Sequence, residues 1–184
     1  MSDGLHPLLA GRRSPRRFDE GQVLSRADLR PLLEAARWAP SRGNGQPVRW
    51  VVALRGEPVH DRLVDALSRG NRSWAPRAAA LLVVVLPDVA DDPDGQHAHD
   101  DHDGGQAVAH LTVQAGAQGL AVHQMAGFDP AEVHRAVPLG ADRRAAVLVA
   151  VGAVGGSPLE EGLAAKEARP RTRLPLEELV LEPG

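Results

Sequence analysis

Two clusters of arginine stand near opposite ends of the chain: Arg12-Arg13-Ser14-Pro15-Arg16, and Arg171-Thr172-Arg173. A guanidinium presents a rigid fork of N–H donors that matches a phosphate, and a serine hydroxyl adds one more. Together the clusters have the chemistry to hold one phosphate group, although either alone also reads as solvated surface charge. A third group, Ser41-Arg42-Gly43-Asn44-Gly45-Gln46, supplies amide side chains that both donate and accept. These suit a heteroaromatic ring with alternating donors and acceptors, or an ordinary polar turn. The chain has no cysteine and no tyrosine, and twenty of its 21 basic residues are arginine, with Lys166 the only lysine. That excludes disulfides, thiolate nucleophiles, cysteine-ligated zinc and iron–sulfur centres, and a phenolic acid. Side chains able to do covalent chemistry are scarce, so a bound cofactor is expected to carry the hard step.

The run holding His97, His99, Asp100, Asp101, His102 and Asp103 has metal-capable groups. It crowds into a polar, acidic stretch spanning 87–105, which also holds Asp91, Asp92 and Asp94. We read it as a solvated loop or lid and expect no metal. His110 and His123 read as structural rather than catalytic.

The 184 residues suffice for one domain with a core and are short for two, so a single domain over 1–184 is expected. Hydrophobic residues at 43% and charged residues at 24% are ordinary for a globular chain. The net charge of −3 provides no overall basic field, which argues against nucleic acid as a partner. No long apolar stretch opens the chain, and the longest apolar run, Ala78 to Leu86, is about half of a membrane span. A cytoplasmic protein with no membrane contact is the expectation.

The elements that must position these residues follow from periodicity. Leu29, Leu32, Leu33 and Ala36 predict a helix over Asp28–Trp38, with Asp28 as N-cap, Pro31 in the first turn and Pro40 as the stop. Residues 1–24 read as irregular. Trp50–Leu54 reads as a strand, and Pro58–Ser68 as a helix ended by Gly70 with Val59, Leu63, Val64 and Leu67 on one face. Ala78–Leu86 predicts a buried central strand. Gln106–Gln118 predicts a helix of small residues with Val108, Leu111 and Ala115 inward, ended by Gly119 and followed by a short strand from Leu120 to His123. Asp129-Pro130-Ala131-Glu132 is a helix start, with Asp at N-cap, Pro at N1 and Glu at N3, and Ser157-Pro158-Leu159-Glu160 reads as a second. Ala145–Val151 predicts another buried strand. Strands and helices mixed in one core point to an α/β or α+β domain.

Several segments stand in a fixed order. Arg-Arg-Ser-x-Arg-x-Phe-Asp at 12–19 precedes Leu-Leu-Glu-Ala-Ala-Arg-Trp-Ala-Pro-Ser at 32–41. Gly-Asn-Gly-Gln-Pro at 43–47, Gly-Asn-x-x-Trp at 70–74 and Met-Ala-Gly-Phe-Asp at 125–129 follow. In this order and spacing the chain resembles the FMN-dependent nitroreductase family from Leu8 to Val180.

The resemblance implies an α+β fold of three α/β/α layers. A mixed, mainly antiparallel sheet is flanked by helices, and a C-terminal segment reaches the partner subunit. It implies a homodimer with FMN at the subunit interface and NAD(P)H as electron donor. By the same resemblance Arg12, Arg13, Ser14 and Arg16 grip the phosphate and ribityl chain, joined by Arg171 and Arg173. Pro40, Ser41 and Arg42, with Asn44 and Gln46 close by, come from the partner and pack on the flavin ring. Met125, Ala126 and Gly127 line the ring, Asn71 stands near it, and Trp74 and Phe128 wall the substrate pocket, although Trp74 reads equally as a core aromatic. The implied reaction reduces nitroaromatics, quinones or similar small acceptors by ping-pong hydride transfer through flavin N5, with no catalytic side chain. The alternatives are a biosynthetic flavin-dependent oxidase on the same fold, or a noncatalytic protein that holds FMN or a metal.

Overall fold

Seven consecutive aliphatic residues, Ala80 to Leu86, are all buried. A strand so apolar needs cover on both faces of its sheet. A computed structural model describes residues 4–88, 95 and 97–181. The elements begin with α1 (Pro7–Gly11), α2 (Arg26–Arg37), β1 (Arg49–Leu54), α3 (Pro58–Ala66) and α4 (Arg69–Arg72). They continue with β2 (Ala80–Pro87), α5 (Asp100–Ala117), β3 (Ala121–Met125), α6 (Pro130–Ala136), β4 (Arg143–Gly152) and α7 (Glu161–Glu167). The four strands run in the order β1-β2-β4-β3, and every pairing is antiparallel. The sheet is therefore antiparallel throughout the described residues rather than mixed.

Alternate residues of β2 enter two separate cores. Leu81, Val83 and Val85 pack with Leu63, Ala66, Val133 and Ala136 of α3 and α6. Leu82, Val84 and Leu86 pack with Leu29, Leu32, Ala107, Val108 and Leu111 of α2 and α5. Helix pairs on opposite faces of one sheet make the expected three layers. Within β4 the register shifts opposite Val84 and Val85, so Val85 faces Ala145 while Val84 faces Val147. The bulge lets Ala145 and Leu148, three positions apart, enter the same core. Truncating a fully buried leucine here, such as Leu82→Ala, is of the kind that costs about 2–5 kcal/mol.

Several boundaries differ from the sequence expectation. The helix α2 starts at Arg26, not Asp28, because Ser25 is the N-cap: its Oγ accepts from the Asp28 amide while the Asp28 carboxylate accepts from the Ser25 amide. Pro31 consequently lies inside the helix, past the first turn. The helix α3 stops at Ala66, where Leu67 turns extended and bridges to Phe128, and Gly70 belongs to α4. The helix α5 begins at Asp100, so 100–105 is helix rather than loop. Asp100, Asp101 and Asp103 occupy its first turn, where the helix dipole favours carboxylates. Asp91, Asp92 and Asp94 lie outside the described residues. After β4, Ser157 caps no helix; its amide donates to Glu20 at 3.1 Å, and α7 starts later, at Glu161. Residues 1–24, read as irregular, include α1 and an isolated bridge from Phe18 to Val154. The predicted start at Asp129 is as expected, its carboxylate accepting from the amides of Ala131 and Glu132. Among the described residues no helix is long and apolar enough to cross a membrane.

One buried group stands without compensation. His60 of α3 is 2% exposed, and neither ring nitrogen has a hydrogen-bond partner. The Asp61 carboxylate, 3.6 Å from Nδ1, is too far for a good bond. Burial therefore pushes the His60 pKa down. A folded-state pKa below the unfolded value of about 6.5 makes the unfolded chain take up the proton first, so this contribution to stability is present at neutral pH and is lost as pH falls below about 6.5. His60→Leu keeps the apolar packing and removes the titration. The drop in Tm from about pH 7.5 to about pH 5 should then be smaller than in the wild type, by thermal unfolding at both pH values.

Candidate functional site

The first arginine cluster lies on an irregular segment between α1 and α2, held from below by two apolar anchors. Pro15 is buried, and Phe18 is fully buried. The Phe18 ring stacks on Trp74 at 6.1 Å, and a Cβ at Gly152 would come within 3.0 Å of that ring, so glycine permits the close approach. Around these anchors Arg13, Ser14 and Arg17 are exposed, and Arg12 and Arg16 are half-buried. The Arg12 Nη1 donates to Ser14 Oγ at 3.0 Å. The Arg16 amide donates to Glu167 Oε2 of α7 at 3.0 Å.

After α7 the chain returns to the same place. Arg171 donates to the carbonyls of Arg12 and Ala10. The two predicted clusters thus line one cleft of about 220 Å³, formed by Arg12, Arg13, Ser14, Pro15, Arg16, Lys166, Glu167, Arg169, Arg171 and Arg173. Seven cations face one carboxylate there. Among the described residues, all eight ion pairs lie elsewhere. The Arg12 guanidinium is held below its ordinary pKa, first by burial and then by repulsion from Arg173 and Arg171. An anion of high charge density would relieve that repulsion. Lys166, Glu167 and Arg169 were not predicted. The spacing did carry a signal for Arg169, since Arg169, Arg171 and Arg173 alternate and an extended chain puts alternate residues on one side.

The segment predicted to line a ring follows β3, an edge strand. Ala126 is exposed, while Met125 is buried in the core, so only backbone is available from Met125. The Gly127 carbonyl accepts from the Ser68 amide and from Asn71 Nδ2, both at 2.9 Å. A Cβ on Gly127 would lie 2.7 Å from Ser68 Oγ and 2.9 Å from Asn71 Nδ2. Glycine here serves packing against α4, and Asn71 holds the segment in place. Of the two readings of Trp74, the structure shows the core aromatic. It is 1% exposed, sandwiched between Phe18 and His123, and works as a core aromatic. Phe128 is half-buried and packs on the same core.

The Pro40–Gln46 loop occupies a different place. Its Ser41 Oγ accepts from the Gln46 amide at 3.0 Å, and the Arg42 amide donates to Asp103 of α5 at 2.9 Å. Gln46 Nε2 donates to the Asn44 carbonyl at 3.2 Å. Asn44 and Gln46 adopt φ of 59° and 48°, a left-handed conformation uncommon outside glycine. Pro40, Ser41 and Gln46 line a cleft of about 460 Å³ with Leu33, Ala36, Val48 and Trp50. No residue of that cleft belongs to the arginine cleft. One chain therefore joins Arg12, Arg13, Ser14 and Arg16 with Arg171 and Arg173, and leaves the loop apart.

Of the histidines, His123 is buried, and its Nδ1 lies 2.8 Å from the Pro15 carbonyl. His110, expected to be structural, is exposed on α5. His97 Nδ1 lies 2.8 Å from Asp100 Oδ2. Among the described residues no group of three or more His, Cys, Asp or Glu is placed to hold a metal.

An antiparallel sheet covered by helix pairs on both faces, with a cationic cleft where the segments around Arg12 and Arg171 meet, defines an α+β domain. Its relatives narrow that class. Residues 9–85 match the model of the nitroreductase family. A Streptomyces coelicolor protein, named as a proposed NADH dehydrogenase/NAD(P)H nitroreductase, is 30% identical over 151 residues, covering 72% of this chain and 74% of its own. A solved structure described as an oxidoreductase containing FMN superposes with a TM-score of 0.89 at 31% identity, covering 99% of this chain and 93% of that one. A second, described as a proposed nitroreductase in complex with FMN from Desulfovibrio desulfuricans, gives 0.77 at 27% identity over 98% of each chain. The chain belongs to the nitroreductase family.

The cationic cleft predicts its own ligand chemistry. Inorganic phosphate at millimolar concentration should raise the Tm, as any ligand of the folded state does. Arg12→Ala and Arg173→Ala should lose most of that shift while leaving the phosphate-free Tm unchanged or higher. Thermal unfolding with phosphate, against chloride at equal ionic strength, checks both.

Proposed function

We propose that this protein is an FMN-dependent NAD(P)H oxidoreductase that works as a homodimer and reduces nitroaromatics, quinones or similar small acceptors. The observation that carries the reading is the convergence of seven cations, without ion-pair partners among the described residues, on one cleft. A phosphate monoester fits that donor set in charge and hydrogen-bonding geometry. Family membership and the FMN named for two similar structures support the choice of cofactor.

In this reading Arg12, Arg13, Ser14, Arg16, Arg171 and Arg173 hold the FMN phosphate and ribityl chain. The exposed backbone at Ala126 and Gly127, fixed by Asn71, borders the ring. FMN, when bound, supplies acceptance and delivery of hydride, which no side chain of this chain can do. Donor and acceptor take turns at one open face, so the kinetics are ping-pong and no side chain need act as acid or base.

Two features support a second copy. The Pro40–Gln46 loop lies in its own cleft and would complete the ring site of the partner. Leu174, Leu176, Leu179, Val180 and Leu181 of the C-terminal segment are exposed, an apolar surface suited to cover by another subunit.

The purified protein should be yellow, with about one FMN per chain, and should sediment as a dimer. Anaerobic NADH or NADPH should bleach it, and a nitroaromatic or quinone should restore the colour. A colourless protein that does not take up FMN overturns the reading.

A further inference from the structure

The segment that carries Arg12, Ser14 and Arg16 belongs to no helix or strand. Its backbone is held by side chains reaching in from elsewhere. Glu167 accepts from the Arg16 amide, Arg171 donates to the Arg12 carbonyl, and the His123 ring lies 2.8 Å from the Pro15 carbonyl. Glu167 and Arg171 themselves line the cleft. His123 does not; it approaches from beneath, out of β3.

The chemistry of that contact is unambiguous. A carbonyl oxygen only accepts, so Nδ1 of His123 carries the proton and donates it. The ring is buried and lies against Trp74 with centroids 4.3 Å apart, which fixes its plane. Trp74 in turn stacks on Phe18, the second anchor of the same segment. Pro15 is itself buried, so its carbonyl has little access to water as an alternative donor. His123 also lies on the strand that runs into Ala126 and Gly127, which border the ring in the proposed function.

We propose that His123 is a positioning residue for the phosphate end of the site. Its Nδ1–H holds the Pro15 carbonyl, so that Arg12, Ser14 and Arg16 on either side of Pro15 converge on one anion. This rests on the reading of the arginine cleft as the FMN phosphate site. The same contact ties the phosphate-gripping segment to the strand that carries the ring-lining backbone, and so fixes these two parts of the site relative to each other.

A role confined to core packing would weaken binding of every flavin alike, whereas this one acts through the phosphate. Two substitutions separate the parts of the ring. His123→Phe keeps the aromatic stack on Trp74 and removes the donor. His123→Asn loses the stack and keeps an N–H close to the position of Nδ1. Equilibrium titration of the full chain with FMN and with riboflavin, followed by flavin fluorescence, reads both. In the wild type FMN should bind at least tenfold tighter than riboflavin. The His123→Phe variant should lose at least tenfold in FMN affinity with riboflavin affinity within twofold, and His123→Asn should keep the wild-type preference for FMN. Equal loss for both flavins in His123→Phe, or no loss, overturns the proposal while leaving the phosphate site standing. A wild type that does not prefer FMN overturns the phosphate site, and the proposal with it.

Discussion

Like charges do not gather unless something holds them. Two unit charges about 4 Å apart repel by about 1 kcal/mol in bulk water, and by more where protein displaces solvent. The arginine cleft sets seven cations against one carboxylate. Its apolar underside makes this possible. Pro15, Phe18, Trp74 and His123 form a rigid base continuous with the core, and the sheet fixes that base from behind. The guanidinium groups are left no retreat except into solvent. The mutual repulsion of these cations shows in Arg12, whose pKa is lowered by burial and by Arg173 and Arg171.

The two faces of the sheet divide the labour. The core with α3 and α6 contains Phe18, Trp74 and Met125, and supports the arginine segment and the stretch after β3. The core with α2 and α5 lies on the other face and supports the Pro40–Gln46 loop, through the contact of Arg42 with Asp103 and the neighbouring Leu33 and Ala36. The chain thus supports its arginine cleft and its loop cleft on separate cores, with no lining residue in common.

What was legible in the sequence was local. Asp129-Pro130-Ala131-Glu132 announces a helix because the cap, the proline and the acidic residue act within one turn. The apolar run of β2 announces a buried strand for the same reason. Arginine and serine offered phosphate chemistry by residue type, with solvated surface charge as the alternative, but nothing local placed the two clusters together. The start of α5 was hidden, because Asp100-Asp101-His102-Asp103-Gly104-Gly105 has poor helix formers. Tertiary contact overrides them: Gly104 lies so close to Leu86 that a Cβ would come within 3.2 Å of its methyl group. Ser25 escaped notice because capping depends on a serine outside the apolar repeat. Trp74 stayed open between two readings because an aromatic side chain has no spacing rule that separates a pocket wall from a core. Only the positions of Phe18 and His123, each far away in sequence, decide that it is core.

Arg171 meets the carbonyls of Arg12 and Ala10 across 159 and 161 residues of chain. Such a contact closes a long loop, and long loops are slow to close. During synthesis the first arginine cluster emerges well before the second. The cationic cleft is therefore complete only after both clusters have been made. A chain ended before Arg171 has the sheet and both cores available to it, yet only part of the charge that lines the cleft.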